Sequence, residues 1–302
     1  MTGSAGMTGG AGMTARTSPA ARLRAGMAQG IVMAPGAADA LTARLVERAG
    51  FPAVYMTGFG ATAARLGLPD LGLMSQTEMT EHARIMTRAV TIPVVADADT
   101  GYGGPANLHR TVREYVQAGV AAIHLEDQVA PKRCGQLAGI RLVDAEENAR
   151  RLACALEARG EDDLLVIGRT DALPAMGLDE AVRRAALYAQ AGVDLVFVDG
   201  VKRVAEVEAI ARAVPGPKVV SIVDGTEAVA LTAADLQGMG FSLAFYALSA
   251  LFSAVRAMEE TLAALRRDGT PSGRADAMTS YGAFADLVDL AGHQARADRF
   301  GG

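Results

Sequence analysis

Charged side chains stand at the ends of successive apolar runs in this chain, and their types could share one piece of chemistry. The run Ile92-Pro93-Val94-Val95-Ala96 leads into Asp97-Ala98-Asp99-Thr100-Gly101-Tyr102-Gly103. The run 120–125 leads into Glu126-Asp127, the run 164–168 into Arg169-Thr170-Asp171, and the run 193–198 into Asp199. Side chains of an extended segment repeat every second residue, which predicts Asp97 and Asp99 on one face and Glu126 on the next strand. Three oxygen ligands from neighbouring strand tips suit a hard divalent cation, Mg²⁺ with Mn²⁺ as a substitute. The competing reading of Asp99 is a capping or solvated loop carboxylate.

Between those tips lies Pro131-Lys132-Arg133-Cys134-Gly135-Gln136. Flanking cations lower a thiol's pKa, which would make Cys134 an acid–base group and give Lys132 a part in the chemistry. An ordinary loop cysteine is the alternative. The segment 128–140 is long for a strand-to-helix connection, which favours a lid over substrate. Arg169, facing a metal from a strand tip, could hold a carboxylate bidentately; a structural ion pair is the bland alternative. Thr57-Gly58-Phe59-Gly60 offers a hydroxyl and backbone N–H groups to an anion, or is a plain turn. The histidines form no cluster: His124 reads as a core residue, while His82, His109 and His293 read as solvated or packing residues.

Chemistry at strand ends requires a frame that brings those ends together. Short apolar runs at 31–35, 53–56, 93–96, 121–125, 165–168, 195–198, 219–223 and 243–246 alternate with helical stretches at 39–49, 76–89, 107–118, 144–158, 178–191, 204–214, 232–239 and 250–267. A long loop is expected between the second run and its helix. Gly50, Gly119 and Gly192 each close a helix before the next strand. Alternation of this kind argues an α/β protein with a parallel sheet, and eight units favour a TIM-type (β/α)8 barrel. The open alternative would want a dinucleotide fingerprint after the first strand, and Ala34-Pro35-Gly36-Ala37 is not one. Residues 1–18 read as a disordered tail, 19–268 as the barrel, and 269–302 as a C-terminal helical extension that packs on a neighbouring subunit.

Composition agrees with one large core: 302 residues, half of them hydrophobic, with a net charge of -5. No basic stripe or aromatic platform points to nucleic acid. No apolar stretch reaches the roughly 18 residues of a membrane span. Cys134 and Cys154 do not make a disulfide framework, so a reducing cytoplasm is the expected compartment, with Cys154 a buried, inert thiol.

Gly67-Leu68-Pro69-Asp70-Leu71-Gly72, the Asp97 to Gly103 stretch, His124-Leu125-Glu126-Asp127-Gln128, Pro131-Lys132-Arg133-Cys134-Gly135 and Arg169-Thr170-Asp171-Ala172 together resemble the isocitrate lyase/phosphoenolpyruvate mutase superfamily. The likeness spans roughly 20–290 and is nearest to the methylisocitrate lyase, dimethylmalate lyase and carboxyphosphoenolpyruvate mutase branch. It implies a barrel with a swapped C-terminal helix, and a homotetramer built as a dimer of dimers. It implies Mg²⁺ near Asp97, surrounded by Asp70, Asp99 and Glu126, partly through waters. It implies a mobile loop with Cys134 as general acid, and Thr57, Gly58 and Arg169 around the carboxylate and keto end of a small carboxylic acid. Phe59, Gly135, Gln136, Asp199 and Ser221 would complete the substrate pocket.

Departures concentrate away from the metal. Gln136 replaces the usual His, Asp199 a Glu, Ser221 an Asn and Ala247 a Pro, and the usual Gly-x-Thr-Pro is missing from 225–229. The expected activity is Mg²⁺-dependent, retro-aldol cleavage of a small 2-hydroxy or 2-keto di- or tricarboxylic acid, releasing glyoxylate or pyruvate. Oxaloacetate-type decarboxylation, carbon–phosphorus rearrangement and a non-catalytic relative are the alternatives.

Overall fold

Helix stops feed each strand of this protein, seen in a computed structural model that describes residues 17–301. Gly50, Gly119 and Gly192 take left-handed φ values of 86°, 81° and 95°, which only glycine adopts without a Cβ penalty. Helix starts are equally local. Ser75 and Glu78 form a reciprocal capping box on helix Gln76–Ala89, and Asp144 accepts from the Glu147 N–H at the head of helix Ala145–Arg159.

The strands are β1 (Val32–Ala37), β2 (Val54–Met56), β3 (Val94–Asp97), β4 (Ala122–Glu126), β5 (Leu165–Thr170), β6 (Leu195–Val198), β7 (Lys218–Ser221) and β8 (Leu243–Tyr246). They are all parallel and close in sequence order, with β8 returning to β1. Every C-terminal strand end therefore lies at one mouth of the barrel. Register sets the neighbours there: Asp97 lies opposite His124, Glu126 opposite Arg169, and Arg169 opposite Phe197.

Alternating strand residues build two apolar layers. Val54, Met56, Val94, Ile123 and Val166 face the surrounding helices. Tyr55, Val95, Ile167, Phe197 and Phe245 fill the lumen, and Leu23 of helix Pro19–Gln29 joins that inner cluster. Tyr55 stacks on Phe245 at 4.1 Å, and Phe197 meets the His124 ring edge-on at 5.8 Å. Each large buried ring contributes about 1.5–3 kcal/mol, so this plug is a rigid floor beneath the mouth.

Some boundaries differ from those expected. The expected long loop after β2 begins with helix Gly58–Leu66, capped by Thr57, because the Thr57 hydroxyl accepts from the Gly60 N–H at 3.3 Å. Helix Pro19–Gln29 is capped by Ser18, a residue placed in the expected tail; the rest of that tail up to residue 16 lies outside the described residues. Beyond the barrel, helix Ser249–Asp268 is followed by helices Tyr281–Leu287 and Leu290–Phe300. Cys154 is half-buried rather than buried, its thiol directed at the Pro105 carbonyl at 3.6 Å. His82 is buried and packs, while His109 and His293 are exposed.

Candidate active site

A pocket at the barrel mouth is lined by Tyr55, Thr57 and Phe59 from the end of β2, Asp70 from the following loop, and Asp97 from β3. Cys134, Gly135 and Gln136 cover it from the segment after β4. Arg169, Phe197, Asp199, Ser221, Val223, Ala247 and Leu248 complete the wall. The structure thus gathers residues from most of the strand tips. Asp99, Glu126 and Lys132 are buried immediately behind this lining.

Strand alternation does not deliver Asp99. β3 ends at Asp97, and Asp99 sits in a turn with a φ of 46° while its N–H donates to Asp97 Oδ1 at 2.9 Å. The turn, not a shared strand face, turns Asp99 toward Lys132. Lys132 Nζ lies 2.6 Å from Asp70 Oδ1 and 3.0 Å from Asp99 Oδ1. Its charge therefore bridges two acids and does not serve the thiol.

Charge balance decides the protonation states. Burial opposes ionisation of Asp97, but His124, Lys132 and Arg169 outweigh it and hold that carboxyl at about 2. Asp99 is pushed up to about 6 by burial, against the pull of Lys132 and with help from Asp97 and Asp70. Burial lifts Glu126 well above the carboxylate range. Burial also lowers His124 to about 4, so the imidazole is neutral at pH 7. His124 Nε2 is 2.9 Å from the Tyr55 hydroxyl, and Nδ1 stands 3.6 Å from Asp97 Oδ1 without a hydrogen-bond partner among the described residues.

Cys134 corrects an expectation. Burial pushes its thiol up to about 11, whereas adjacent cations were expected to lower it. Lys132 is engaged by Asp70 and Asp99, and the Arg133 guanidinium turns to the Ala138 carbonyl. The group is consequently a thiol, not a thiolate, at neutral pH.

Arg169 is the pocket's guanidinium and is held from three sides. Nη1 lies 3.3 Å from Glu126 Oε2, and Nη2 lies 2.8 Å from Asp171 Oδ1 and 2.5 Å from Asp199 Oδ2. Its plane is fixed before any ligand arrives, which lowers the entropic cost of binding a carboxylate. Two glycines allow this crowding. A Cβ on Gly58 would stand 2.5 Å from Asp97 Oδ2, and one on Gly135 would stand 2.7 Å from Asp171 Oδ1.

The candidate metal residues are adjacent, yet no three His, Cys, Asp or Glu side chains among the described residues form a ready-made coordination group. Asp97, Asp99, Glu126 and Asp70 are brought to one end of the barrel but share that space with the Lys132 ammonium. The donors still fit a hard dication. Both Glu126 oxygens are buried with no hydrogen-bond partner among the described residues, and Mg²⁺ takes one or two carboxylates while keeping waters.

Sequence reasoning left several contributors out. Tyr55 and Phe197 line the pocket, and Asp171 and Asp127 hold the β5 tip. Tyr55 lies two residues before Thr57, so strand periodicity could have found it. Asp127 accepts from the Thr170 hydroxyl at 2.7 Å, the Asp171 N–H at 3.0 Å, the Tyr188 hydroxyl at 2.8 Å and Arg184 at 3.0 Å. No local pattern announces that convergence.

Comparison with known proteins matches the chain to a family. The phosphoenolpyruvate phosphomutase family model matches residues 23–266. The chain belongs to the phosphoenolpyruvate mutase/isocitrate lyase superfamily. It is 41% identical to 2,3-dimethylmalate lyase of Eubacterium barkeri over 260 residues, covering 86% of this chain and 90% of that one. A structure of oxaloacetate acetylhydrolase with 3,3-difluorooxalacetate superposes with a TM-score of 0.88 at 33% identity, covering 95% of this chain and 98% of the other. Phosphonopyruvate hydrolase in complex with oxalate and Mg²⁺ superposes with a TM-score of 0.85 at 33% identity, covering 94% and 99%. These relatives are enzymes, a lyase among them.

Proposed function

We propose that this protein is a Mg²⁺-dependent carbon–carbon lyase that cleaves a small 2-hydroxy or 2-oxo di- or tricarboxylic acid by a retro-aldol step, releasing glyoxylate or pyruvate. The observation that carries the reading is a protonated, half-buried thiol, Cys134, set in one pocket with an immobilised guanidinium, Arg169.

Asp97, Asp99, Glu126 and Asp70 would hold the cation, which would act as a Lewis acid on the substrate oxygen that becomes a carbonyl. Arg169 binds the adjacent carboxylate, steadied by Glu126, Asp171 and Asp199. The N–H groups at the head of helix Gly58–Leu66 and the Thr57 position face the same end. Lys132 ties the covering segment to the acids of the site. Cys134 keeps its proton until a carbanion develops and then donates it from Sγ. Closure by 132–136 keeps water from competing for that carbanion. Gln136 and Ser221 shape the end that receives the rest of the substrate, next to the apolar Val223, Ala247 and Leu248, whereas Asp199, expected there, pairs with Arg169.

A homotetramer in the cytoplasm completes the proposal. Helix Ser249–Asp268 leaves Phe252, Met258 and Leu262 44%, 55% and 64% exposed, an apolar face that a second copy would cover. No helix among the described residues is long and apolar enough to cross a membrane.

The test is a chelator-controlled screen of branched malates, citrates, oxaloacetate and phosphonopyruvate with mass detection of glyoxylate or pyruvate. Asp97→Ala should abolish turnover, and Cys134→Ser should abolish carbon–carbon cleavage while Cys154→Ser leaves it intact. Full activity in Asp97→Ala would sink the metal assignment. Turnover that survives Cys134→Ser would favour decarboxylation or carbon–phosphorus chemistry on the same site, and Mg²⁺ binding without any turnover would favour a non-catalytic relative.

A further inference from the structure

Gln128 is buried, two residues beyond Glu126 at the root of the covering segment, and it uses both ends of its amide. Its Oε1 accepts from the Arg133 N–H at 2.9 Å, and its Nε2 donates to the Arg133 carbonyl at 2.8 Å. The same Nε2 donates to Asp171 Oδ2 at 3.2 Å. The other oxygen of that carboxylate accepts from Arg169 Nη2 at 2.8 Å. One neutral side chain thus joins the backbone beside Cys134 to the carboxylate that orients Arg169.

The surrounding bonds show why this link matters. The root of the segment is closed without Gln128's side chain: the Val129 N–H donates to the Arg141 carbonyl at 2.8 Å, and the Val143 N–H to the Asp127 carbonyl at 2.9 Å. Among the described residues the tip has two other tethers, Lys132 to Asp70 and Asp99, and the Cys134 N–H to the Asp70 carbonyl at 3.1 Å. Both of these run to the Asp70 side of the pocket. Gln128 is the tether that runs from the tip to the Arg169 side.

From this geometry we infer that Gln128 is a positioning residue: it docks the Cys134 segment and, through Asp171, sets the Arg169 guanidinium, so that thiol and carboxylate-binding group come into place together. The inference rests on the lyase reading for what Arg169 holds, and not for the docking of the segment. When the segment lifts away, Gln128 loses both backbone partners at once, so docking is cooperative with the orientation of Asp171.

The test compares wild type with Gln128→Met and Gln128→Glu, two replacements of similar size. Trypsin cleavage after the exposed Arg133 reports undocking in the ligand-free chain. Two backbone hydrogen bonds predict nicking faster by roughly fivefold or more in Gln128→Met, with the chain still folded and its thermal midpoint lowered by only a few degrees. Gln128→Glu should be nicked at least as fast, because a carboxylate cannot donate to Arg133 and faces Asp171. Wild-type nicking rates in both variants would overturn the inference, since a space-filling side chain predicts that result. Calorimetric titration with oxalate in MgCl₂ reports Arg169, and affinity should fall by a similar factor in both variants. Undiminished oxalate affinity would overturn the link to Arg169. A wild-type chain that binds no oxalate would overturn the lyase reading, while the nicking ratio would still decide the docking role.

Discussion

The protonation state of Cys134 yields the most exposed prediction. Burial raises its thiol from the ordinary 9.0 to about 11, against the Gln136 backbone N–H and Arg169, while Asp70 and Asp199 push in the same direction as burial. At pH 8 a free thiol with the ordinary value is ionised to the order of 10%, whereas one at about 11 is ionised to the order of 0.1%. Alkylation proceeds through the thiolate, so iodoacetamide should label Cys134 about a hundredfold more slowly than an unfolded-peptide control at pH 8. The rate should keep rising with pH until about 11. The linkage sign follows from the raised value. Below about 9 folded and unfolded chains both carry the proton, and between about 9 and 11 only the folded form retains it. Stability therefore falls with rising pH across that window, by about 2–3 kcal/mol for a two-unit shift, and undocking of the segment relieves it more cheaply than global unfolding. The assay is mass-resolved alkylation of a Cys154→Ser chain, so that one thiol reports. Labelling of Cys134 at the free-thiol rate at pH 7 to 8 would refute the reasoning, because the group would then be an ionised nucleophile and not a reserve of protons.

Two further outcomes follow from buried charge and exposed apolar area. Asp127→Ala should cost about 3 kcal/mol in urea denaturation, because it strands the buried Arg184 guanidinium with Glu180 at 2.7 Å as its remaining acidic partner and frees Thr170 and Tyr188; a loss below about 1 kcal/mol would show that the network carries little. Met258→Glu combined with Leu262→Glu should lower the mass measured by light scattering, since charges would occupy two of the most exposed apolar positions of helix Ser249–Asp268. An unchanged mass would place the subunit contact elsewhere.

Much of the frame was legible because its causes are local. Gly50, Gly119 and Gly192 stop helices by their own φ preference, and Ser75 with Glu78 starts one by its own hydrogen bonds. The strand tips bearing Asp97, Glu126, Arg169 and Asp199 were visible as charges ending apolar runs. Helix Gly58–Leu66 was missed because Thr57-Gly58-Phe59-Gly60 reads equally as a turn, and only the Thr57 hydroxyl's choice of the Gly60 N–H settles it. Asp99 was misplaced because strand alternation was carried past the end of β3 into a left-handed turn.

The direction of each charge lay beyond the sequence. Lys132 and Arg133 precede Cys134 in the chain, yet one turns to Asp70 and Asp99 and the other to the Ala138 carbonyl, so adjacency misjudged the thiol. By itself the sequence determined that four of eight strand ends would carry acids and a guanidinium to one mouth, with a thiol on the segment after the fourth strand, because strand period and helix stops act over a few residues. Only the closed barrel decided which charges pair, which are lifted or lowered, and that Gln128 spans from the Cys134 segment to Asp171. Coulomb and desolvation energies depend on distance and burial, and those are set by residues that meet across the fold, far apart along the chain.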